Sequence, residues 1–213
     1  PLQVGSNTRN LGEDVKRGEK ILAAGHIVRP QDLALLIATG TKDVDVYSLL
    51  RVGILSTGDE LLTCGSEYRS LIKKGNIFDS NRPMLLSLMR RWNFEVCDFG
   101  VICDEKRLLR EKLDEASSKV DVIISSGGAS SGDEDYVAKL IKSEGKLENW
   151  RIAIKPGRPL ALGFWNETPI FGLPGNPMSS SACFRFFVYP YIENILGLSK
   201  EKPIKAVLKN EFV

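Results

Sequence analysis

Several residue types that common active sites need are scarce in this sequence. Histidine occurs once in 213 residues, as His26, which excludes zinc sites and metal cages built from two or more histidines. A lone imidazole could serve a Ser-His-Asp triad, but His26 beside Gly25 is interpreted as a surface or turn residue. The four cysteines include no CxxC pair, so they are interpreted as free thiols of a reducing compartment that pack as small apolar residues.

Long apolar runs and an excess of one charge are also absent. No apolar run approaches the roughly 18 residues that a membrane-spanning helix needs, and no signal-like segment opens the chain. The 29 Lys and Arg residues face 27 Asp and Glu residues without a long basic run, whereas nucleic-acid-binding and membrane-surface proteins usually carry a concentrated basic face. The sequence therefore predicts a cytoplasmic protein that binds neither membrane nor nucleic acid.

The first fifty residues differ in pattern from the rest. Between Val15 and Val28, short apolar groups alternate with turn residues, which predicts short strands. A helix is then predicted from Pro30 to a stop at Gly40. Because so short a segment buries too little surface to fold alone, it is expected to belong to a domain that continues elsewhere. The weakly alternating tail 199–213 is interpreted in the same way, as the first strand of a further domain.

From Arg51 onward, apolar strands alternate with amphipathic helices. Continuous apolar runs such as RVGILST are typical of a parallel sheet covered by helices on both faces. The predicted fold class is therefore α/β, a three-layer α/β/α arrangement around a mostly parallel sheet, with a small α+β segment before it. Right-handed crossovers bring the carboxyl ends of such strands to one edge, where functional loops are expected. The predicted strands are 51–57, 94–102, 120–128, 150–154, 160–163 and 169–171, and the predicted helices are 81–93, 105–117, 134–143 and 177 to about 196.

Two of the loops at predicted strand ends carry carboxylates. Ser56 and Thr57 precede Asp59 and Glu60, a grouping that serves equally in turns and helix caps or in an active site. The loop 125–135 holds four serines and three glycines, which expose backbone N–H groups and hydroxyls suited to a phosphate or another oxyanion. The aspartate that ends this loop could hold a divalent cation, and a solvated flexible loop is the alternative interpretation.

Two further loops predict anion binding, one through its cationic side chains and the other through the start of a helix. Lys155 and Arg158 alternate with prolines that stiffen the backbone, which suits an anion clamp or, equally, a hairpin with solvated charges. Asn176 and Pro177 predict a capped helix start with free N–H groups and serines nearby. Together the four loops predict a ligand with several phosphate-like groups and a metal ion.

Several segments occur in the order and spacing of a known family. The sequence resembles the molybdopterin molybdenumtransferases, the MoeA and gephyrin E-domain family of molybdenum cofactor biosynthesis, in the motifs STGDEL, DSNR, SSGGASSGDEDYV, KPGRPLALG and FGLPGNPMS. The stretch with the GED motif looks like the segment just before that family's catalytic domain, so the resemblance covers nearly the whole chain. It implies that 51–198 form a molybdopterin-binding α/β/α domain, that 1–50 end an N-terminal elongated region, and that 199–213 begin a C-terminal β-domain.

The resemblance implies an enzyme of molybdenum cofactor biosynthesis. Members of the family use Mg²⁺ to insert molybdate into adenylylated molybdopterin with release of AMP. Cleavage of an activated phosphoanhydride depends on positioning and charge neutralisation more than on a strong general base, which agrees with the lack of an obvious nucleophile and base pair in the sequence. A homodimer and a molybdopterin adenylyltransferase partner are also expected.

The resemblance also assigns roles to individual residues. Asp104 and Asp135 are expected to bind the metal, and the loop before Asp135 to hold the nucleotide and the pyrophosphate. Lys155 and Arg158 are expected to hold the pterin phosphate or molybdate, while Arg151 stands where the family commonly has lysine. The expected catalytic residues are Asp14, Asp59, Glu60, Asp104, Asp135 and Lys155. The expected substrate-binding residues are Thr57, Gly58, Ser80, Asn81, Ser126, Gly127, Gly128, Gly132, Arg151, Lys155, Arg158, Pro174, Gly175, Asn176, Pro177 and Ser179.

Three alternatives remain open on the sequence alone. A molybdopterin adenylyltransferase or a related nucleotide pyrophosphatase would share the α/β/α domain and the SGG loop, but would lack the GED segment and the GLPGNP turn. A gephyrin-like scaffold that binds receptor tails is the second alternative. A chain that is inactive without further domains is the third.

Overall fold

The chain divides into two compact units. The structure is a computed structural model that describes residues 3–65, 72–73, 75–92, 94–127, 136–198 and 204–207. Residues 1–47 and 191–213 form the first unit, and residues 48–190 form the second. None of the helices in the described ranges has the length and apolar character needed to cross a lipid bilayer.

The first unit contains the predicted helix and a series of turns. Helix α1, Pro30–Ala38, is followed closely by Gly40 at φ +79°, so the predicted helix and its glycine stop are confirmed. The short strands predicted between 15 and 28 are wrong, because this stretch forms turns closed by local bonds, such as His26 N–H to Ala23 O at 3.2 Å. Its apolar groups are short and pair with no strand in the described residues, so local turns satisfy the backbone.

His26 closes a turn, as predicted, but its ring also joins an ion-pair cluster. Its Nε2 lies 2.8 Å from Asp32 Oδ2, and Arg29 donates from Nε to the same oxygen at 2.8 Å and from Nη2 to Oδ1 at 3.0 Å. Hydrogen bonds from Arg29, and then from His26, hold the pKa of Asp32 well below its usual range. The carboxylate also accepts the backbone N–H of Arg29 at 2.9 Å, which caps the first turn of α1.

A six-stranded, mostly parallel sheet forms the centre of the second unit, as predicted. The strands of this unit are β1 Arg51–Thr57, β2 Leu61–Leu62, β3 Ile77–Phe78, β4 Glu95–Ile102, β5 Val122–Gly127, β6 Lys146–Trp150, β7 Ala161–Trp165 and β8 Thr168–Leu173. Their order in the main sheet is β4-β1-β5-β8-β7-β6, and of the described strands in it only β7 runs antiparallel to the rest. β2 and β3 form a separate parallel pair that the sequence pattern did not predict.

The strand predicted at 150–154 is wrong. β6 ends at Trp150 because Arg151 takes φ +64°, which is outside the extended region. The chain then forms a loop in which the Ile152 N–H donates to Arg158 O at 2.9 Å. β7 and β8 lie where they were predicted and extend two residues further at their carboxyl ends.

Helices cover both faces of the sheet, which confirms the three-layer α/β/α prediction. Leu109 and Leu113 of one helix and Leu140 and Ile141 of the next are almost fully buried against one face. On the other face, Trp92 at the end of α2 stacks on Phe184 with ring centroids 5.5 Å apart. A π-helical segment, Phe184–Val188, interrupts the long helix predicted from 177, and residues 134–135 of the helix predicted at 134–143 lie outside the described residues. The helices are α2 Asn81–Arg91, α3 Lys106–Ser117, α4 Tyr136–Glu144, α5 Pro177–Cys183 and α6 Tyr189–Ile195.

The four cysteines are free thiols, as predicted, but they do not all pack in the core. Cys183 is fully buried and Cys97 is partly buried, whereas Cys64 and Cys103 are exposed. The core prediction fails for the two exposed thiols because each follows the end of a strand and lies in a loop.

Candidate functional site

Five parallel strands end at one edge of the sheet, which we call the carboxyl edge. β1, β4, β5, β6 and β8 run in the same direction, so the loops that follow them all leave from this edge. The four loops identified from the sequence are among them. The fold therefore brings together segments that are distant in sequence.

The backbones of three strand-end segments approach each other closely at this edge. Gly127 at the end of β5 has φ +91°, and a Cβ there would lie only 2.2 Å from Thr57 O at the end of β1. A Cβ on Gly175, which follows β8, would lie 4.0 Å from Gly127 Cα. A side chain cannot be accommodated at 127, so a glycine is required there.

Two residues predicted to be catalytic, Asp59 and Asp104, are hydrogen-bonded to each other where β1 and β4 end. Asp59 Oδ1 accepts the backbone N–H of Asp104 at 2.9 Å, and the Gly58 N–H donates to Ile102 O at 3.2 Å. Glu60 is exposed, and its carboxylate folds back so that its Oε2 would lie 2.8 Å from a Cβ on Gly58. The structure thus brings Asp59 and Asp104 into one corner of the carboxyl edge.

The pair of aspartates predicted to bind the metal is Asp104 and Asp135. Asp104 lies in the described residues, whereas Asp135, Gly128 and Gly132 lie outside them. Within the described ranges, no three His, Cys, Asp or Glu side chains form a group that could hold a metal ion. Asp59 and Asp104 nevertheless offer only carboxylate oxygens, the donor type that a hard cation such as Mg²⁺ prefers.

The start of α2 is anchored by a buried ion-pair network that sequence reasoning missed. Arg82 is 8% exposed and donates from Nε to Asp79 Oδ2 at 3.0 Å and from Nη1 to both oxygens of Asp98 at 2.6 and 2.8 Å. Burial lowers the pKa of Arg82, but the hydrogen bonds to Asp98 and Asp79 outweigh that effect and raise it overall. An aspartate three residues before an arginine at a helix start was the available signal, since the Asp79 carboxylate also accepts the Arg82 backbone N–H at 3.1 Å.

Asn81 and Ser80 precede this arginine in the chain. Ser80 is exposed at the N-cap position of α2 and makes no side-chain capping bond. Asn81 is buried, and its Nδ2 donates to Ser126 Oγ and to Gly175 O, both at 2.7 Å. The side chain of Asn81 thus points into the protein between two strand-end loops.

The loop between β6 and β7 presents cations without ion-pair partners. Lys155 and Arg158 are exposed and form no ion pair with any described residue. The Lys155-Pro156 peptide bond is cis, and Gly157 has φ +115°. Cys183 lies beneath this loop and donates from Sγ to Gly157 O at 3.5 Å. Sequence reasoning missed this contact, which gives the loop a buried support.

Arg151 is the first residue of the same loop, and its side chain contacts an aromatic ring. Its guanidinium lies over the Trp150 ring at 4.4 Å from the centroid, and its backbone N–H donates to Leu160 O at 3.1 Å. A positive φ is unfavourable for an arginine, and the two contacts offset part of that cost. The predicted anion-binding side chain is therefore exposed but stacked on an aromatic ring.

The helix start after β8 is capped as predicted. Asn176 Oδ1 accepts the Ser179 backbone N–H at 3.1 Å, and Pro177 occupies the first helical position. The prediction of free N–H groups is wrong for Ser179, because the cap uses its amide. Its hydroxyl lies 3.4 Å from Asn176 Oδ1, and Pro174 is buried while Gly175 is exposed.

Asp14 lies in the first unit, and in sequence it precedes all the strand-end loops described above. Its carboxylate is paired with Arg9 Nη1 at 2.5 Å. Both side chains are largely exposed, so the ion pair adds little stability.

The three-layer fold and the loops at its carboxyl edge define an α/β domain of the kind that binds ligands beyond parallel strand ends. The chain belongs to the family of probable molybdopterin binding domains, whose sequence profile matches residues 53–194. The family resemblance and fold class predicted from the sequence are thereby confirmed.

Individual relatives extend this comparison. The chain is 38% identical over 196 residues to a molybdopterin molybdenumtransferase of Haemophilus influenzae, with 92% of this chain and 48% of the relative covered. It superposes with a TM-score of 0.76 and 33% identity on the molybdopterin biosynthesis MoeA protein of Pyrococcus horikoshii, covering 87% of this chain and 45% of that one. The chain spans about half the length of the curated relatives it matches.

A more distant structure shares the fold alone. The molybdopterin biosynthesis enzyme MoaB of Thermus thermophilus has a TM-score of 0.51 and 18% identity, with 70% of this chain and 96% of that one covered. The α/β/α architecture is therefore found in a protein that is about the size of this chain's second unit and has a different sequence.

Proposed function

We propose that this chain carries the molybdopterin-binding and catalytic part of a molybdopterin molybdenumtransferase, which inserts molybdate into adenylylated molybdopterin and releases AMP. The main support for this proposal is the arrangement of charged residues at the carboxyl edge. Lys155 and Arg158 follow β6 without ion-pair partners among the described residues, while Asp59 and Asp104 lie together after β1 and β4. Such a set suits a ligand with anionic groups and a bound divalent cation. The similarity to relatives of this name supports the particular reaction.

The β6–β7 loop is proposed to hold the pterin phosphate or molybdate. Lys155 and Arg158 would bind it through charge-assisted hydrogen bonds. The Ser179 hydroxyl would add a donor, since its contact with Asn176 is long at 3.4 Å. Because prolines and the buried Cys183 contact restrict the loop, little ordering would be needed on binding.

The corner where β1, β4 and β5 end is proposed to hold the nucleotide and its metal. Asp104 and Asp135 would bind Mg²⁺, which would neutralise charge on the pyrophosphate when bound. Asp59 would keep the Asp104 backbone in place through its 2.9 Å hydrogen bond. The loop that includes Ser126, Gly127, Gly128 and Gly132 would contact the phosphates.

Other parts of the proposal rest on the resemblance. Thr57, Gly58 and Pro174 would shape the ligand site, and Glu60 and Asp14 are proposed as catalytic residues. A homodimer, a cytoplasmic location and a molybdopterin adenylyltransferase partner belong to the same proposal.

The test is a turnover assay on purified chain. The chain is incubated with adenylylated molybdopterin, molybdate and MgCl₂, and AMP release and molybdenum insertion are both measured. The Asp104→Asn variant is expected to lower Mg²⁺-dependent AMP release at least about tenfold, since losing one charged metal contact costs of the order of 1.4 kcal/mol or more. Asp45→Asn, at an exposed position of the first unit, is the matched control. A parallel incubation contains ATP, free molybdopterin and MgCl₂; turnover in that mixture, and none with adenylylated molybdopterin and molybdate, would identify an adenylyltransferase and contradict the proposal.

A further inference from the structure

A single buried amide connects helix α2 to the end of strand β5 and to the turn after β8. Asn81, the first residue of α2, donates from Nδ2 to Ser126 Oγ at the end of β5 and to Gly175 O after β8, both at 2.7 Å. These partners lie 45 and 94 residues further along the chain. The side chain therefore joins three segments that approach each other only in the folded protein.

The orientation of this amide is determined by its partners. Gly175 O is a carbonyl oxygen and can only accept, so Nδ2 must face it. Both Nδ2 protons are then used, and Oδ1 is buried with no hydrogen-bond partner among the residues that the structure describes. With only 6% of Asn81 exposed, neither its donor protons nor its Oδ1 is available to a bound ligand.

The base of this connection is held firmly. The next residue, Arg82, is buried and bonded to Asp79 and to both oxygens of Asp98 on β4. The first turn of α2 is therefore fixed to the sheet. Asn81 extends from a fixed backbone position, so its two hydrogen bonds restrain the end of β5 and the turn that contains Gly175.

The two segments that Asn81 joins, the end of β5 and the turn after β8, also lie next to each other at the carboxyl edge. Gly127 directly follows Ser126, and a Cβ on Gly175 would contact Gly127 Cα at 4.0 Å. No side chain separates the two segments at this point. The β5–β8 ladder reaches Ser126 and Leu173 but not Gly175, and the two hydrogen bonds of Asn81 add a connection between β5 and the turn just beyond that ladder.

We infer that Asn81 is a positioning residue that clamps the end of β5 to the turn after β8, and that it acts on the ligand only through these two segments. This differs from the substrate-contacting role that the family resemblance implies for it. The clamp is a property of the ligand-free protein, whereas its effect on ligand binding rests on the proposed function.

The clamp is tested by ¹⁵N relaxation of the ligand-free chain. Asn81→Asp keeps the shape of the side chain but removes both donor protons. It is expected to lower the order parameters of Gly127 and Gly175 from the rigid range, about 0.85, to below about 0.6. Ser126→Ala replaces this variant if Asn81→Asp does not fold. It removes the bond to Ser126 but keeps the bond to Gly175, so it should lower the order parameter only at the end of β5.

Asn166 offers a matched control at the opposite edge of the sheet. Its Nδ2 also donates to two acceptors on another element, Asp114 Oδ1 at 3.0 Å and Ser117 Oγ at 3.2 Å. Asn166→Gly removes both bonds and tolerates the positive φ of 46°. It should leave the order parameters of Gly127 and Gly175 unchanged.

The effect of the clamp on ligand binding is measured as AMP affinity, by calorimetry in the presence of MgCl₂. Asn81→Asp is expected to weaken AMP binding at least tenfold, and Asn166→Gly to leave it unchanged. Weaker AMP binding with unchanged order parameters would show that Asn81 contacts the ligand directly, and would overturn the inference. Unchanged order parameters together with unchanged AMP affinity would overturn it as well. Mobile loops with unaltered AMP affinity would overturn the link to binding. If the unmodified chain binds no AMP, the proposed function fails while the relaxation data still decide the clamp.

Discussion

The Cys183 thiol lies beneath Gly157 and donates a hydrogen bond to its carbonyl oxygen at 3.5 Å. The two residues are 26 positions apart: Cys183 is a buried residue at the end of α5, and Gly157 lies in the loop that carries Lys155 and Arg158. A thiol is a weak donor, so the contact stabilises mainly through close packing. It nevertheless fixes how near the cationic loop lies to α5.

Gly157→Ala is expected to displace this loop. A Cβ at 157 would lie 2.5 Å from Cys183 Sγ, and Gly157 has φ +115°. The combined clash and backbone strain should cost about 2 kcal/mol or more of unfolding free energy, measured by urea denaturation. Gly40→Ala is the control, because its φ is +79° but nothing lies within 4 Å, so it reports backbone strain alone. Equal losses in both variants would show that the thiol contact is unimportant.

The Cys183 thiol should also make stability depend on alkaline pH. Burial raises its pKa from 9.0 to about 11, so the unfolded chain releases this proton at lower pH than the folded chain does. The stabilisation is therefore fully present below pH 9 and is lost as the pH rises towards 11. Between pH 8 and pH 10, unmodified protein should lose about 1 kcal/mol more unfolding free energy than Cys183→Ala. Parallel urea titrations check this, and identical pH dependence would refute it.

The main strands could be predicted from the sequence because their signal is local. β1 and β5 are continuous apolar runs, and the stop of α1 at Gly40 and the Asn176 cap depend on residues within one turn. β6 was misplaced because its residues, KLENW, show no apolar run and its end depends on the backbone of Arg151.

The site could be predicted only as far as its loops. The motifs located the strand ends, but the partners of a polar side chain are set by tertiary contacts. Arg82 was not recognised as buried because its second carboxylate partner, Asp98, lies on strand β4, 16 residues further along the chain. The amide of Asn81 was interpreted as facing a ligand, whereas its donor protons bond to Ser126 and Gly175.

An oxyanion is expected to bind at the β6–β7 loop. A tungstate soak should give anomalous density near Lys155, Arg158 and Ser179, since these combine a hydroxyl donor with two cations that form no ion pair within the described part of the chain. By calorimetry, Lys155→Met and Arg158→Met should each weaken tungstate binding about tenfold, the effect of losing one charge-assisted hydrogen bond. Lys42→Met, at an exposed lysine of the first unit, should have no effect. Density confined to lysines elsewhere would contradict the assignment.

Asp14 tests whether the catalytic groups lie wholly within the α/β/α domain. Its carboxylate is exposed and paired only with Arg9 in the described first unit, and the curated relatives are about twice as long as this chain. If Asp14 completes the site together with further domains or a second subunit, the 213-residue chain should bind AMP but turn over adenylylated molybdopterin slowly, because productive geometry requires every group to be in place at once. Molybdenum insertion and AMP release are compared between this chain and the full-length protein, each with and without Asp14→Asn. The substitution is expected to lower activity only in the full-length protein, with AMP affinity unchanged in both. Full activity of the chain, insensitive to Asp14, would place the catalytic groups within residues 51–198 and refute the role predicted for the GED segment.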